Sequence, residues 1–83
     1  MNIVEVEWLD AGCEMVNLPL EAVKKLTPMP RKNVGYLIVE DEEKIIVSSG
    51  WLGDNEHGTE AYENNLVIPR GMVVKIEVVG RAD

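Results

Sequence analysis

Apolar and polar residues alternate in two stretches of the chain, one near each end. Glutamates separate Val4, Val6 and Trp8 in the first stretch, from Ile3 to Trp8. The second stretch runs from Val73 to Val79. Its residues Val74, Ile76 and Val78 share one face, and Lys75 and Glu77 lie on the other. A period of two predicts two half-buried β-strands.

A Pro-Arg-Gly break precedes the second of these strands. Pro69, Arg70 and Gly71 separate it from the apolar run Leu66 to Ile68. Proline cannot donate a hydrogen bond to a neighbouring strand, and glycine often marks a sharp bend. We therefore predict a tight corner that joins two strands.

A short helix is predicted between the first strand and the middle of the chain, from Pro19 to Leu26. Proline is tolerated in the first turn of a helix. Leu20, Val23 and Leu26 lie on one side at a spacing of three residues. The segment Thr27-Pro28-Met29-Pro30 ends the pattern.

A hairpin and a long loop follow. The range 34–40 has apolar residues on both faces, which predicts a strand that is covered on both sides or meets another subunit. Residues 41–43 form an acidic turn, and 44–47 return as the partner strand. The turn lacks Asn-Gly and Asp-Gly, so its type stays open.

Residues 48–61 hold three glycines and predict a long loop, a kind of segment that is usually functional or disordered.

This order of elements predicts a mainly β protein. We expect a small, strongly bent five-stranded barrel of the SH3 or Sm kind, with one short α-helix after the first strand. Residues 1–83 then form a single domain. A domain this short has a marginal core, and its core is built from aliphatic side chains because Phe is absent. Help from neighbouring subunits, and thus a homo-oligomer, is expected.

Charge and composition narrow the classes of function. Eight Lys and Arg against 15 Asp and Glu give a net charge of −7, which disfavours extended nucleic acid as a partner. The single Cys13 excludes an internal disulfide, as is typical of a reducing cytoplasm. No apolar run approaches the roughly 20 residues that a membrane helix needs. We expect a cytoplasmic protein without a membrane partner.

Three segments resemble the short accessory proteins of tailed bacteriophages. They are VEWLDAG near the start, VGYLIVEDEEKIIVSS in the middle and VIPRGMVVKIEVV near the end. The resemblance spans most of the chain and implies a small barrel of the Sm or SH3 kind. Some phage proteins of this size act in counter-defence. They bind a host defence protein, or they sequester the nucleotide signal of an immune system.

Trp51 is the sharpest candidate for a binding residue. An indole in a loop can stack on a base or anchor a partner. The alternative is that Trp51 and Leu52 fold back to cap the core, because the chain offers few aromatic residues for it. Arg70 at the corner, with Arg31 and Lys32, is a candidate for binding phosphate, although a solvated turn is the more common role for such an arginine.

The acidic turn is a candidate for protein interaction. Asp41, Glu42 and Glu43 could meet a basic partner, although such runs are usually only solvated. No motif predicts an enzyme, a metal site or a cofactor. His57 and its acidic neighbours lack the ligand spacing of zinc or calcium sites, and Cys13 lacks an evident base.

Two hypotheses of function follow. The first is a non-enzymatic phage protein that sequesters a small nucleotide signal in an oligomer, with Trp51 on the base and the basic residues on phosphate. The second is a protein–protein module that binds and inhibits a host protein or joins a phage assembly. An Sm-like RNA-binding protein is a third, disfavoured by the charge.

Overall fold

Five antiparallel strands in a single sheet form the protein. The computed structural model describes residues 1–12, 16–53 and 60–82. The strands run in the order β4-β3-β2-β1-β5. Their bounds are β1 (Asn2–Asp10), β2 (Met29–Glu40), β3 (Lys44–Leu52), β4 (Ala61–Pro69) and β5 (Val73–Arg81); a helix α1 (Leu20–Val23) lies between β1 and β2, and a 3-10 turn (Arg70–Met72) joins β4 to β5.

The predicted strands, the hairpin, the helix and the corner are confirmed, with changed bounds. β2 begins at Met29 instead of Val34, and β3 continues through Leu52 instead of ending at Val47. β4 begins at Ala61, so the predicted loop of residues 48–61 is wrong for most of its described part. The barrel is not confirmed, because the sheet is not closed and β4 and β5 are its two edges.

The long strand β2 belongs to both halves of the sheet. Its first part, up to Tyr36, pairs with β1, and the part from Tyr36 onward pairs with β3, with a bulge after Leu37. Gly35 stands where these two parts meet. A Cβ atom at Gly35 would overlap the carbonyl oxygen of Ser48, so only glycine allows β3 to pass this close.

The core lies on one face of the sheet and draws on strands from both halves. Its buried side chains are Val4, Val6 and Trp8 of β1, Ile45 and Val47 of β3, and Ile68 of β4. β1 is not adjacent to β3 or β4 in the sheet, so the cluster brings together side chains from strands that do not pair with each other. The predicted inward face of β1 is confirmed.

The last strand departs from the predicted alternation. Val73 pairs with Trp8, Ile76 with Val6 and Val78 with Val4, and the register shifts near both ends of the pairing. Val74 falls within one of these irregular positions and is exposed, whereas Val73 packs against the core. The prediction that Val74 shares the face of Ile76 is wrong, because a bulge inserts one residue and reverses the face.

The helix is shorter than predicted, and its apolar side chains are exposed in the part of the chain that the structure describes. Pro19 is its N-cap residue, and the helix ends at Val23 rather than Leu26. Leu20, Val23 and Leu26 are all exposed, so the predicted apolar stripe has no partner surface among the described residues. Short helices in water depend on packing for their stability, which explains why this one stops after four residues.

The molecule is elongated, with a radius of gyration of 16.7 Å. A compact domain of this length would have about 12 Å. Within the described residues, no helix is long and apolar enough to cross a membrane.

Candidate functional site

Three aromatic side chains line one cavity at the end of the sheet where the chain begins. They are Tyr36 of β2, Trp51 of β3 and Tyr62 of β4. The cavity has a volume of about 420 Å³, and Met1, Glu60 and Ala82 complete its lining. The chain has two Trp, two Tyr and no Phe. Every aromatic residue except the buried Trp8 therefore meets here.

Strand pairing brings these rings together. Trp51 is the direct partner of Tyr62 in the β3–β4 ladder. Tyr36 is the partner of Ser48, and the neighbouring pair Leu37 and Val47 belongs to the core side. Because side chains alternate along a strand, Tyr36 points to the face opposite the core. None of the described residues that line the cavity belongs to the core cluster.

The rings of Tyr36 and Tyr62 pack edge to face. Their ring centroids lie 6.0 Å apart, and the ring planes are inclined by 75°. This T-shaped arrangement is one that aromatic pairs favour, since the positive edge of one ring meets the negative face of the other.

Trp51 is accessible, and it lies in a strand rather than in the predicted loop. Its side chain is 51% exposed, so it does not fold back as part of the buried core. A Cβ atom at Gly53 would lie 3.2 Å from the Cη2 atom of its ring. The missing side chain at Gly53 therefore leaves room for the indole beside the backbone.

A polar network fixes β4 beside the cavity. The Ser48 hydroxyl donates a hydrogen bond to the side-chain oxygen of Asn65, whose amide nitrogen donates to the backbone carbonyl of Tyr62 at 3.2 Å. Asn64 has a φ of 57°, in the left-handed region. Asparagine is one of the few residues besides glycine that adopts this conformation readily, and it kinks the strand between Tyr62 and Asn65.

The ends of the described chain close one side of the cavity. The amino group of Met1 donates to the carbonyl oxygen of Ala82 at 3.0 Å, and the amide of Ala82 donates to the carbonyl oxygen of Met1 at 2.9 Å. These bonds extend the pairing of β1 with β5. Glu60 brings a carboxylate to the same cavity.

The predicted phosphate-binding residues do not converge on Trp51 within one chain. Each of them pairs with an acid: Arg31 with Asp10 at 2.6 Å, Lys32 with Glu5 at 3.7 Å and Arg70 with Glu40 at 3.1 Å. The Arg70 amide also donates to the carbonyl of Glu43, at the opposite end of β3 from Trp51. At about 3.3 Å per residue, roughly 23 Å of strand separates the two.

The acidic turn is closed by its own first residue. A single carboxylate oxygen of Asp41 accepts hydrogen bonds from the amides of Glu43 and Lys44, both at 2.8 Å. These two bonds, chiefly that from Lys44, lower the pKa of Asp41. Glu42 and Glu43 are exposed. The sequence left this turn type open. In the structure the side chain of Asp41 stabilises the turn by its hydrogen bonds to the backbone.

Two sequence candidates, Cys13 and the His57 segment, lie outside the described residues. Among the described ones, no group of three or more His, Cys, Asp or Glu side chains is placed to hold a metal ion. Ser48 is fully buried and serves the network beside Tyr62.

Comparison with protein-family models, with curated proteins and with solved structures finds no match to this chain.

Sequence reasoning missed Tyr36, Tyr62 and Glu60 as site residues. Tyr36 and Tyr62 are far apart in sequence and belong to no motif. One signal was present: the stretch 34–40 has apolar residues on both faces, although a sheet of this size needs only one apolar face. Tyr36 is one of these surplus residues, and it lines the cavity.

Proposed function

We propose that this chain is a non-enzymatic binding protein and that the aromatic cavity is its binding site. The observation that carries the proposal is the convergence of Tyr36, Trp51 and Tyr62, from three different strands, on one cavity of about 420 Å³. Small-molecule sites are concave, contain aromatic side chains and hold a few polar groups. All three features occur together here, in residues that lie outside the core cluster.

We infer that the fold of this chain is related to the small bent barrels of the SH3 or Sm kind. Four observations support this inference: the β1-to-β4 meander, the return of β5 to β1, the short 3-10 corner and the sharing of β2 between both halves of the sheet. The resemblance to phage accessory proteins agrees with this architecture, and with it we propose a counter-defence role in the host cytoplasm.

A small nucleotide signal is one ligand that we propose for this site. Trp51 is exposed and lines the cavity, where its indole can stack on a base. Phosphate would need basic residues from elsewhere, because Arg31, Lys32 and Arg70 lie away from Trp51. A homo-oligomer can supply them from a neighbouring subunit. Two observations support an oligomer. β4 and β5 are the edge strands of the sheet, and many apolar side chains of the described residues are exposed.

Native mass spectrometry of protein purified from host cells tests this function. We expect an oligomer that carries one extra mass per site, and that mass identifies the class of ligand. The control is the Trp51→Ala variant, which should be isolated without the extra mass. A wild-type protein free of any ligand, together with unchanged tryptophan fluorescence across a broad panel of nucleotides and other small molecules, would overturn the proposal.

A protein–protein module is the second candidate, and the acidic turn favours it. Asp41, Glu42 and Glu43 are exposed at the tip of the β2–β3 hairpin, where a basic partner can reach them. Charge reversal of Glu42 and Glu43 should then abolish capture of a specific partner and leave the aromatic cavity unchanged. Asp41 is left intact in this experiment because it closes the turn. A partner captured equally well after charge reversal contradicts this candidate.

A further inference from the structure

We propose that the aromatic cavity selects an organic cation, a methylated ammonium group, as its ligand. This inference rests on the proposed function, since it names the ligand chemistry of the same site.

The arrangement of rings is the first step. The face of an aromatic ring carries partial negative charge, and it attracts a cation that lies within about 6 Å of the ring centre. Tyr36 and Tyr62 already stand edge to face at 6.0 Å, so their ring planes differ by 75°. Trp51, the strongest cation-binding ring type, adds a third surface beside them. A rounded cation can contact several such surfaces at once, whereas a flat ligand stacks on one.

The charge around the rings is the second step. Glu60 lines the cavity, and no Lys or Arg does among the described residues. Among the described lining residues, the amino group of Met1 is the one cationic group, and it donates to the Ala82 carbonyl. The whole chain carries a net charge of −7. A carboxylate beside aromatic faces stabilises a cation and repels a phosphate.

The volume is the third step. Ligand sites range from about 300 to 1,000 Å³, and this cavity, at about 420 Å³, lies near the lower end. Its occupant is therefore a small head group. A trimethylammonium group is rounded, charged and weakly hydrated, and it needs no hydrogen-bond donor or acceptor. A free metabolite such as choline and a trimethylated lysine side chain both present this group.

The first experiment compares two ligands of the same shape. Choline carries the charge, and 3,3-dimethylbutan-1-ol replaces the nitrogen with carbon. Binding is followed by NMR of the two indole N–H groups. Trp8 is the internal reference, because it is buried and its Nε1 donates to Asn33 at 2.8 Å. We expect the Trp51 signal to shift with choline, with an affinity about 2-fold to 30-fold higher than for the neutral alcohol.

Variants test whether local charge and the indole are responsible. Glu60→Gln removes the carboxylate at the cavity and should weaken choline binding several-fold. Glu21→Gln is the matched control, because it changes the net charge equally at an exposed site on the helix and should leave affinity unchanged. Trp51→Ala should abolish the binding, and Trp51→Phe should restore part of it. An unchanged Trp8 signal verifies that each variant is folded.

Separate arms identify the source of the cation. A peptide with trimethyllysine, compared with the same peptide with unmodified lysine, reports a protein-borne ligand, and choline reports a free one. Preference for either methylated probe supports the inference. Equal binding of choline and its neutral analogue overturns it. If neutral bases or nucleotides bind in a Trp51-dependent manner and cations do not, the cation assignment fails but the proposed binding site stands. If no probe binds, both fail.

Discussion

The two tryptophans mark two regions of this molecule that differ in almost every respect. Trp8 is 8% exposed, belongs to the core and donates its indole hydrogen to Asn33. Trp51 is 51% exposed and lines the aromatic cavity, outside the core cluster. Both lie near the end of a β-strand. The difference teaches that the position of an indole in the sheet, and not the residue type, decides whether it stabilises the fold or is accessible to a ligand.

Truncation of the two tryptophans gives the largest expected contrast. Trp8→Ala should lower the free energy of unfolding by about 3–5 kcal/mol, because it opens a cavity in a small core. Trp51→Ala should lower it by less than about 1 kcal/mol, since a half-exposed side chain loses few contacts. Urea denaturation followed by circular dichroism measures both. Equal losses would show that the aromatic region stabilises the fold as much as the core does.

Two glycines test the close passage of β3 beside β2. Gly35→Ala should destabilise the protein by about 1–3 kcal/mol, because the new methyl group meets the Ser48 carbonyl and the backbone has to move. Gly71→Ala is the matched control, since a Cβ atom there has no neighbour within 4 Å. The two melting temperatures give the answer. A Gly35→Ala protein as stable as the control would contradict the close passage of β3.

The left-handed conformation of Asn64 in β4 tests how the backbone beside the cavity is held. Asn64→Val should cost about 1–2 kcal/mol, because a β-branched residue is strained at the φ of 57° seen there. Asn64→Gly keeps that conformation and should be close to neutral. Thermal unfolding of the two variants, with indole NMR to follow Trp51, separates backbone strain from loss of the side chain. Tolerance of valine would argue against the kink.

The smallest expected effect concerns pH and the acidic turn, far from both tryptophans. The folded state lowers the pKa of Asp41 below its ordinary value of 3.8 through hydrogen bonds from the amides of Lys44 and Glu43. A lowered pKa contributes stability above the unfolded value, and this contribution is lost as pH falls through the folded value. Asp41→Asn should thus lower the melting temperature slightly at about pH 7 and make no difference well below 3.8. A deficit that persists in acid would indicate a structural rather than an ionic origin.

Local patterns predicted the elements better than their extent. Alternation located β1 and β5, and the Pro69-Arg70-Gly71 break located the corner. Strand ends were wrong where the pattern is weak. β3 runs on through Ser49 and Gly50, which have low strand propensity, because β4 supplies partners for it. Tertiary pairing here overrides the preference of single residues.

The candidate site was predictable only in part. Trp51 stood out because large aromatic residues are rare in this chain, and its exposure agrees with a binding role. Tyr36, Tyr62 and Glu60 did not, because their meeting depends on the register of three strands and on the kink at Asn64. The basic residues were grouped by charge alone, and the fold pairs each of them with a nearby acid instead.

The sequence by itself determined the period-two strands, the inward face of β1, the position of the corner and the acidic surface. These are local properties, because side-chain alternation and the geometry of proline act within a few residues. Only the tertiary structure decided the bulges, the close approach of β3 at Gly35, the open edges of the sheet and the aromatic cavity. Each of these depends on which strands lie side by side and in what register, and a shift of one residue would turn every side chain to the other face.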